Sequence, residues 1–189
     1  TTHERSEFSF SPDFVWIKRR NGTNWHQLFD TVRGATKRLY SNETNAENTA
    51  SGSLDSFDSD GFTLGSDGAV NSGGSTYVAW AWDGGSAFSN SAGSNGATIA
   101  SSGVVNATAG FSIATYTGST GNQQFCHGLG AKPAFILIKN RSSVATWFAM
   151  IDVGSTYFKY GHLNSYAALA DATSHPVASS TVTLAHNTA

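Results

Sequence analysis

Three aspartates precede a glycine in one short stretch of the chain: Asp55, Asp58 and Asp60 come before Gly61. Closely spaced carboxylates followed by a glycine are typical of part of a calcium-binding loop. The complete loop motif needs a glutamate further along, and none follows here. An Asp–Gly turn before a strand explains the same residues without a metal. We therefore predict a turn and no metal, and keep these aspartates as the candidate ligands.

Positive charges recur at the ends of two similar segments, at Lys18, Arg20, Lys139 and Arg141. Exposed cations in such a cluster suit binding to sugars, phosphates or acidic partners. The same charges also guard strand ends against edge pairing, or form salt bridges with Asp30 and Asp152. We favour the structural interpretation and keep the four cations as the candidate ligand-binding residues.

The remaining reactive residues do not form a catalytic pattern. Cys126 and His127 are adjacent, so on a strand they point to opposite faces, and a buried, inert cysteine is expected. There is no Gly-x-Ser-x-Gly nucleophile motif and no phosphate-binding loop ending in Lys-Ser or Lys-Thr. The four glutamates lie in polar segments, with no carboxylate pair placed for glycoside hydrolysis. We predict that the protein is not an enzyme and has no cofactor.

A repeat organises the elements that carry these residues. The segment Pro12–Arg20 recurs as Pro133–Arg141, and Phe62-Thr-Leu recurs as Val182-Thr-Leu. The period of about 120 residues is the size of a domain, not of a solenoid repeat. The sequence therefore predicts two related modules. They cover residues 1–83 and 110–189, and a Gly/Ser/Asn-rich linker or long surface loop covers residues 84–109.

Composition favours an all-β protein. Charged residues make up 13% of the chain and aromatic residues 12%, against about 25% charged residues in average soluble chains. Abundant small polar residues with many aromatics suit short strands and tight turns. The net charge of −2 argues against nucleic-acid binding. No run reaches the roughly 18 apolar residues of a membrane-spanning helix.

Two strands are expected to dominate the first module. Phe14–Arg20 alternates with apolar residues on both faces, which predicts a strand that is central in its sheet or covered on both sides. In Thr76–Trp82, the face with Val78, Trp80 and Trp82 is the more apolar, and we predict that it closes the core. Three further tryptophans, Trp16, Trp25 and Trp147, are expected in the core, with sugar stacking as the alternative.

Each module is expected to lack strands. The first has no recognisable counterparts of Phe111–Tyr116 and Gln123–His127, and the second has none of Tyr77–Trp82. An incomplete sheet exposes backbone groups that invite pairing with another chain. We therefore expect neighbouring chains to complete each other. The alternative is that the chain is part of a longer polypeptide that supplies the strands.

Several motifs carry a family resemblance: Phe10–Arg19, Leu28–Gly34, Tyr77–Trp82, Gly110–Gly118 and His127–Gly130. Together they resemble a repeat-built, uncharacterised family of virion proteins from tailed phages, especially marine ones. The resemblance covers most of Phe10 to Leu184, but not Thr1–Phe8. It implies antiparallel β-sandwich modules of the jelly-roll or lectin-like kind.

The resemblance also implies a function, location and partners. We expect a structural virion component, such as a tail fibre or appendage, that is extracellular and forms homo-oligomers or binds other virion proteins. The alternative is a carbohydrate-binding adhesin that recognises host surface glycans. From charge and composition, nucleic acid is not an expected partner and no membrane span is expected.

Overall fold

The fold is all-β, as predicted. A computed structural model describes residues 3–6 and 8–184. Residues 1, 2, 7 and 185–189, which belong to the two predicted modules, lie outside the described part. The described residues form seventeen strands, all of whose pairings are antiparallel, and no helix. Among them, therefore, no helix is long and apolar enough to cross a membrane.

The chain divides into two compact units. Unit 1 contains Thr1–Asp83 and Lys139–Trp147, and unit 2 contains Gly84–Ile138 and Phe148–Ala189. Unit 1 therefore takes a loop from the range predicted as the second module.

Unit 1 contains the first eight strands. They are β1 (His3–Ser6), β2 (Phe14–Arg19), β3 (Gln27–Asp30), β4 (Lys37–Arg38), β5 (Asn48–Thr49), β6 (Leu54–Asp58), β7 (Gly61–Leu64) and β8 (Tyr77–Trp82). They form sheets in the orders β1-β7-β6 and β3-β2-β8, and the pair β4-β5.

The core of unit 1 follows from the alternation of β2. Its inner face carries Val15 and Ile17, which are buried together with Phe29 of β3. Leu54, Phe62, Leu64 and Val70 complete the same cluster. Since Leu54, Phe62 and Leu64 belong to the other three-stranded sheet, apolar burial joins the two sheets.

Unit 2 contains the other nine strands. They are β9 (Ser86–Asn90), β10 (Ser101–Asn106), β11 (Phe111–Tyr116), β12 (Gln123–Cys126), β13 (Phe135–Ile138), β14 (Phe148–Ile151), β15 (Lys159–His162), β16 (Ala170–Asp171) and β17 (Thr181–Leu184). Their sheets have the orders β11-β10-β9, β12-β17 and β13-β14-β15-β16. The core cluster includes Phe125, Met150, Phe158 and Val182, with Ile136 and Ile138 of β13 packed against it.

The register of the strands repeats between the units. In unit 1, Phe14 lies opposite Asp30 and Val15 opposite Phe29. In unit 2, Phe135 lies opposite Ile151 and Ile136 opposite Met150. The inner-face residues of β2 therefore correspond to those of β13, as the sequence repeat indicates.

A second correspondence corrects the strand inventory. Strand β1 pairs with β7 so that Arg5 lies opposite Phe62, and β12 pairs with β17 so that Phe125 lies opposite Val182. Strand β1 is thus the counterpart of β12, and the expectation that the first module lacks this strand was wrong. The sequence did not reveal it, because Arg5 replaces the phenylalanine that marks β12.

The predicted orientation of β8 was also wrong. Tyr77 and Ala81 pack against the core of unit 1, whereas Trp80 and Trp82 remain 45% and 37% exposed. Both faces of this strand are apolar, so alternation alone could not tell which one faces inwards. The small Ala81 fits beneath the opposing sheet, while the indoles lie outside.

Residues 84–109, which the sequence predicts to be a linker or loop, contain β9 and β10. The central strand β10 pairs with β9 on one side and β11 on the other. Small residues hide this alternation in the sequence. One of them is required, because a Cβ at Gly103 would lie 1.8 Å from the carbonyl oxygen of Ile113.

We predict that Gly103→Ala destabilises the protein by about 1–3 kcal/mol, the usual cost of overpacking. Denaturant unfolding measures the change. The matched control is Gly73→Ala, since a Cβ there meets no atom within 4 Å and should change stability by less than about 0.5 kcal/mol. Equal stability of the two variants would contradict the three-stranded arrangement around β10.

Candidate functional site

The two repeated lysines make equivalent hydrogen bonds. The Lys18 ammonium donates to the carbonyl oxygens of Arg19 and Gly22, the latter at 3.1 Å. The Lys139 ammonium donates to those of Asn140 at 2.8 Å and Thr44 at 3.2 Å. Each lysine therefore satisfies carbonyl groups in the loop that follows its strand. Burial lowers the pKa of Lys139.

Arg141 takes part in an ion network within unit 1. Its guanidinium donates two hydrogen bonds to the Glu47 carboxylate, at 2.8 and 2.9 Å. Glu47 also accepts from Arg33 at 3.2 Å, and Arg33 forms a salt bridge with Asp30 at 2.5 Å. Arg33 and Asp30 are nearly fully buried. Bidentate geometry and shared partners make this network stronger than an isolated surface pair.

The network controls the charge of Glu47. Burial alone would raise the pKa of this carboxyl, but the hydrogen bonds from Arg141 and Arg33 outweigh it, and the pKa lies below its ordinary value. The glutamate is therefore a fixed anion that holds two arginines, and not a proton donor for catalysis. Of the four candidate cations, Lys18, Lys139 and Arg141 donate to protein acceptors, and the residue Arg20 is exposed.

The three aspartates take part in a β-hairpin. Strands β6 and β7 pair so that Asp58 lies opposite Gly61, which leaves Asp60 in the two-residue turn. The Asp58 carboxylate accepts hydrogen bonds from Ser56 and Thr63, and Asp55 accepts one from the Gly52 amide. In the described part of the chain, no three potential metal ligands are grouped. The carboxylates of Asp55 and Asp58 therefore satisfy donors of the hairpin and its flanks.

Cys126 and His127 are both buried in unit 2. The Leu129 amide donates to His127 Nδ1, and His127 Nε2 lies 3.2 Å from the Ala178 carbonyl oxygen. These bonds fit a neutral ring that donates through Nε2. Burial lowers the pKa of His127, which favours the same neutral form.

Unit 1 has an aromatic surface feature whose tryptophans the sequence interpretation assigned to the core. Phe14 lies opposite Trp82 and Trp16 opposite Trp80 on the outer face of β2 and β8. We call these four residues the aromatic row. The ring centroids of the first pair are 5.3 Å apart and those of the second 5.9 Å. Both pairs are steeply tilted, so the row is not one flat platform.

A hydrogen bond fixes part of the aromatic row. The Trp16 indole donates to His26 Nδ1 at 2.8 Å. Burial, and then the charge of Lys18, lower the pKa of His26 and keep the ring a neutral acceptor. Lys18 follows Phe14 and Trp16 on the same face of β2, which is the sequence signal that this face is the outer one.

The other two tryptophans of the stacking hypothesis have protein partners. Trp147 is 5% exposed and its indole donates to the Tyr40 carbonyl oxygen at 2.7 Å. Trp25 packs edge-on against the Tyr40 ring at 5.0 Å, although it remains partly exposed. Core placement is thus observed for Trp147, whereas Trp16 and Trp25 lie nearer the surface.

The aromatic row is an apolar surface and not a cluster of reactive groups. Its indoles offer large amphipathic faces, which suit contact with another protein or with sugar rings.

Comparison with known proteins identifies a family. The chain matches a domain of unknown function, DUF7483, over residues 1–188. It belongs to this family. No curated protein and no solved structure matches the chain. The expectation that the chain belongs to a domain family of unknown function is confirmed. A single domain of this family spans both units.

We predict that Glu47→Gln lowers the stability of the protein at neutral pH by about 1–3 kcal/mol, because hydrogen bonds between charged partners are lost. The pKa of Glu47 is lowered in the folded state, so its contribution is present above the ordinary value of 4.5 and is lost as the pH falls below it. The wild type should therefore lose more stability than the variant between about pH 6 and about pH 3.

The matched control is Glu43→Gln, which removes a carboxylate from the same loop. Denaturant unfolding at each pH measures all three proteins. If Glu47→Gln and Glu43→Gln show the same pH dependence, the ion network does not stabilise unit 1.

Proposed function

We propose that this protein is a structural component of the virion of a tailed phage, such as a tail fibre or appendage. In this proposal each unit is a β-sandwich module, and neighbouring chains assemble through their outer faces. The assignment to a virion rests on the resemblance of the repeated motifs. The proposal that chains assemble rests on apolar residues exposed on the surface of both units.

One observation carries the assembly proposal. The repeated strand has apolar residues on its outer face in both units, although only its inner face is needed for the core. In unit 1 this outer face carries Phe14 and Trp16, which are part of the aromatic row. In unit 2 it carries Phe135, which is 54% exposed, opposite the exposed Ile151.

Exposed apolar residues in the same place on two related units favour an interaction role. Contiguous apolar patches on soluble proteins usually mark binding surfaces. Tryptophan in particular is enriched at interfaces, where it contributes a large contact area. The low charge of the chain, 13%, fits surfaces that become covered by neighbouring subunits.

A second candidate function is carbohydrate binding by an adhesin. It is favoured by the two exposed indoles, Trp80 and Trp82, since a sugar ring can stack on a single tryptophan. The tilt within each aromatic pair speaks for separate contacts rather than one extended platform.

We predict that the purified chain forms oligomers at micromolar concentration, and that Trp80→Ser with Trp82→Ser shifts them towards monomers because the apolar contact is lost. Light scattering measures the mass of the particles, and negative-stain electron microscopy shows their form. Gold-labelled antibodies against the chain should also decorate tailed phage particles.

The control is Trp25→Ser, which removes an exposed tryptophan outside the aromatic row. Two results together would overturn the proposal: the wild-type chain is a folded monomer, and the antibodies do not label phage particles. Binding of that monomer to a glycan array, lost in Trp80→Ser, would favour the adhesin instead.

A further inference from the structure

Unit 1 contains a cavity of about 370 Å³ between its two three-stranded sheets. One wall is formed by Phe62 and Leu64 of β7, and the other by Ile17, Tyr77 and Ala79. Arg5 of β1 also lines it and is itself exposed. Ala79 is exposed as well, although its neighbours on this face, Tyr77 and Ala81, pack on the core. The core of unit 1 is therefore open at this edge.

The corresponding place in unit 2 is filled. By strand register, Arg5 opposite Phe62 corresponds to Phe125 opposite Val182. Phe125 is buried and stacks on Tyr116 of β11, with ring centroids 4.4 Å apart. Burial raises the pKa of Tyr116 to about 12. Two aromatic rings thus occupy in unit 2 a position where unit 1 has an arginine.

Unit 2 also shows how the edge beside this position is covered. The amides of Thr98 and Ile99 both donate to the carbonyl oxygen of Gln124 in β12. Ile99, Ala114 and Tyr116 then pack against the core. The segment 98–118, which includes β10 and β11, therefore supplies both the backbone partners and the side chains. By register, Glu4 of β1 is the counterpart of Gln124.

We propose that the cavity of unit 1 is a docking site for a segment like residues 98–118, supplied by a second copy of this module. The incoming backbone bonds at Glu4 to the edge of β1 that does not face β7, and an aromatic side chain equivalent to Tyr116 enters the cavity.

The chemistry of the two partners is compatible. Strand β1 is the last strand of its sheet in the described part of the chain, and such edges bind added strands through main-chain hydrogen bonds. The segment 98–118 has no charged residue, so Arg5 meets no like charge. Its guanidinium has five donors for carbonyl groups at the mouth. The volume of about 370 Å³ is at the low end for ligand pockets, which fits side chains rather than a large ligand.

The inference rests on the assembly proposed above, but it is tested separately. A fluorescently labelled synthetic peptide of residues 98–118 is titrated with the full chain, and fluorescence anisotropy measures binding. We expect saturable binding that is lost when the peptide carries Tyr116→Ala or has a scrambled sequence.

Two variants of the full chain fill the cavity from within. Arg5→Phe recreates the residue found at the equivalent position of unit 2, and Ala79→Phe fills the cavity from the other wall. Each should weaken peptide binding at least about tenfold, which corresponds to about 1.4 kcal/mol. Arg5→Phe should also raise the melting temperature, since it buries apolar surface. The control is Asn45→Phe, at an exposed loop position of unit 1 outside the cavity lining, which should bind like the wild type.

Three results would overturn the inference: no binding of the peptide to the wild type, equal binding by Arg5→Phe, or equal binding of the scrambled peptide. None of these results bears on whether antibodies against the chain label phage particles. If the antibodies do not label the particles but the peptide binds, the virion role is wrong and the docking site stands.

Discussion

The structure depends on burial of the inner face of one repeated strand. In unit 1 this face carries Val15 and Ile17, and both are almost completely inaccessible to solvent. In unit 2 the equivalent Ile136 and Ile138 pack against their own core. A strand that is apolar on one side must be covered by a second layer, and the residues of β7 and β17 supply that cover. The remaining strands, turns and ion pairs are arranged around this contact.

The outer face of the same strand determines what each unit can do. Lys18 and Lys139 satisfy loop carbonyls in both copies, so these cations are part of the framework. Beside them, the aromatic row leaves Trp80 and Trp82 exposed on the same face. Where Arg5 takes the place of a core phenylalanine, unit 1 has an open cavity, whereas Phe125 at the equivalent position of unit 2 is buried. The two units thus share a framework and differ in the residue at this position.

The sequence predicted the features that depend on local pattern. The all-β class, the repeated strand and the Asp58–Gly61 hairpin follow from composition, alternation and turn residues. It did not predict which face of β8 is buried, since both faces are apolar. Strands β9 and β10 were missed because small residues conceal their alternation. The network between Glu47 and Arg141 joins residues 94 positions apart, and no local pattern indicates such a pairing. The aromatic row was missed for the same reason as β8, although Lys18 marks its face as exposed.

The most direct test of this account compares the free energies of unfolding of Ile17→Ala and Ile138→Ala, measured by denaturant titration. The account predicts a loss of about 2–5 kcal/mol for Ile17→Ala, the usual cost of truncating a buried isoleucine. For Ile138→Ala, whose side chain is partly buried, it predicts a smaller loss of about 1–3 kcal/mol. Arg20→Ala, at the exposed end of the same repeated segment, should differ from the wild type by less than about 0.5 kcal/mol. An inner-face variant as stable as Arg20→Ala would contradict the claim that this strand holds its unit together.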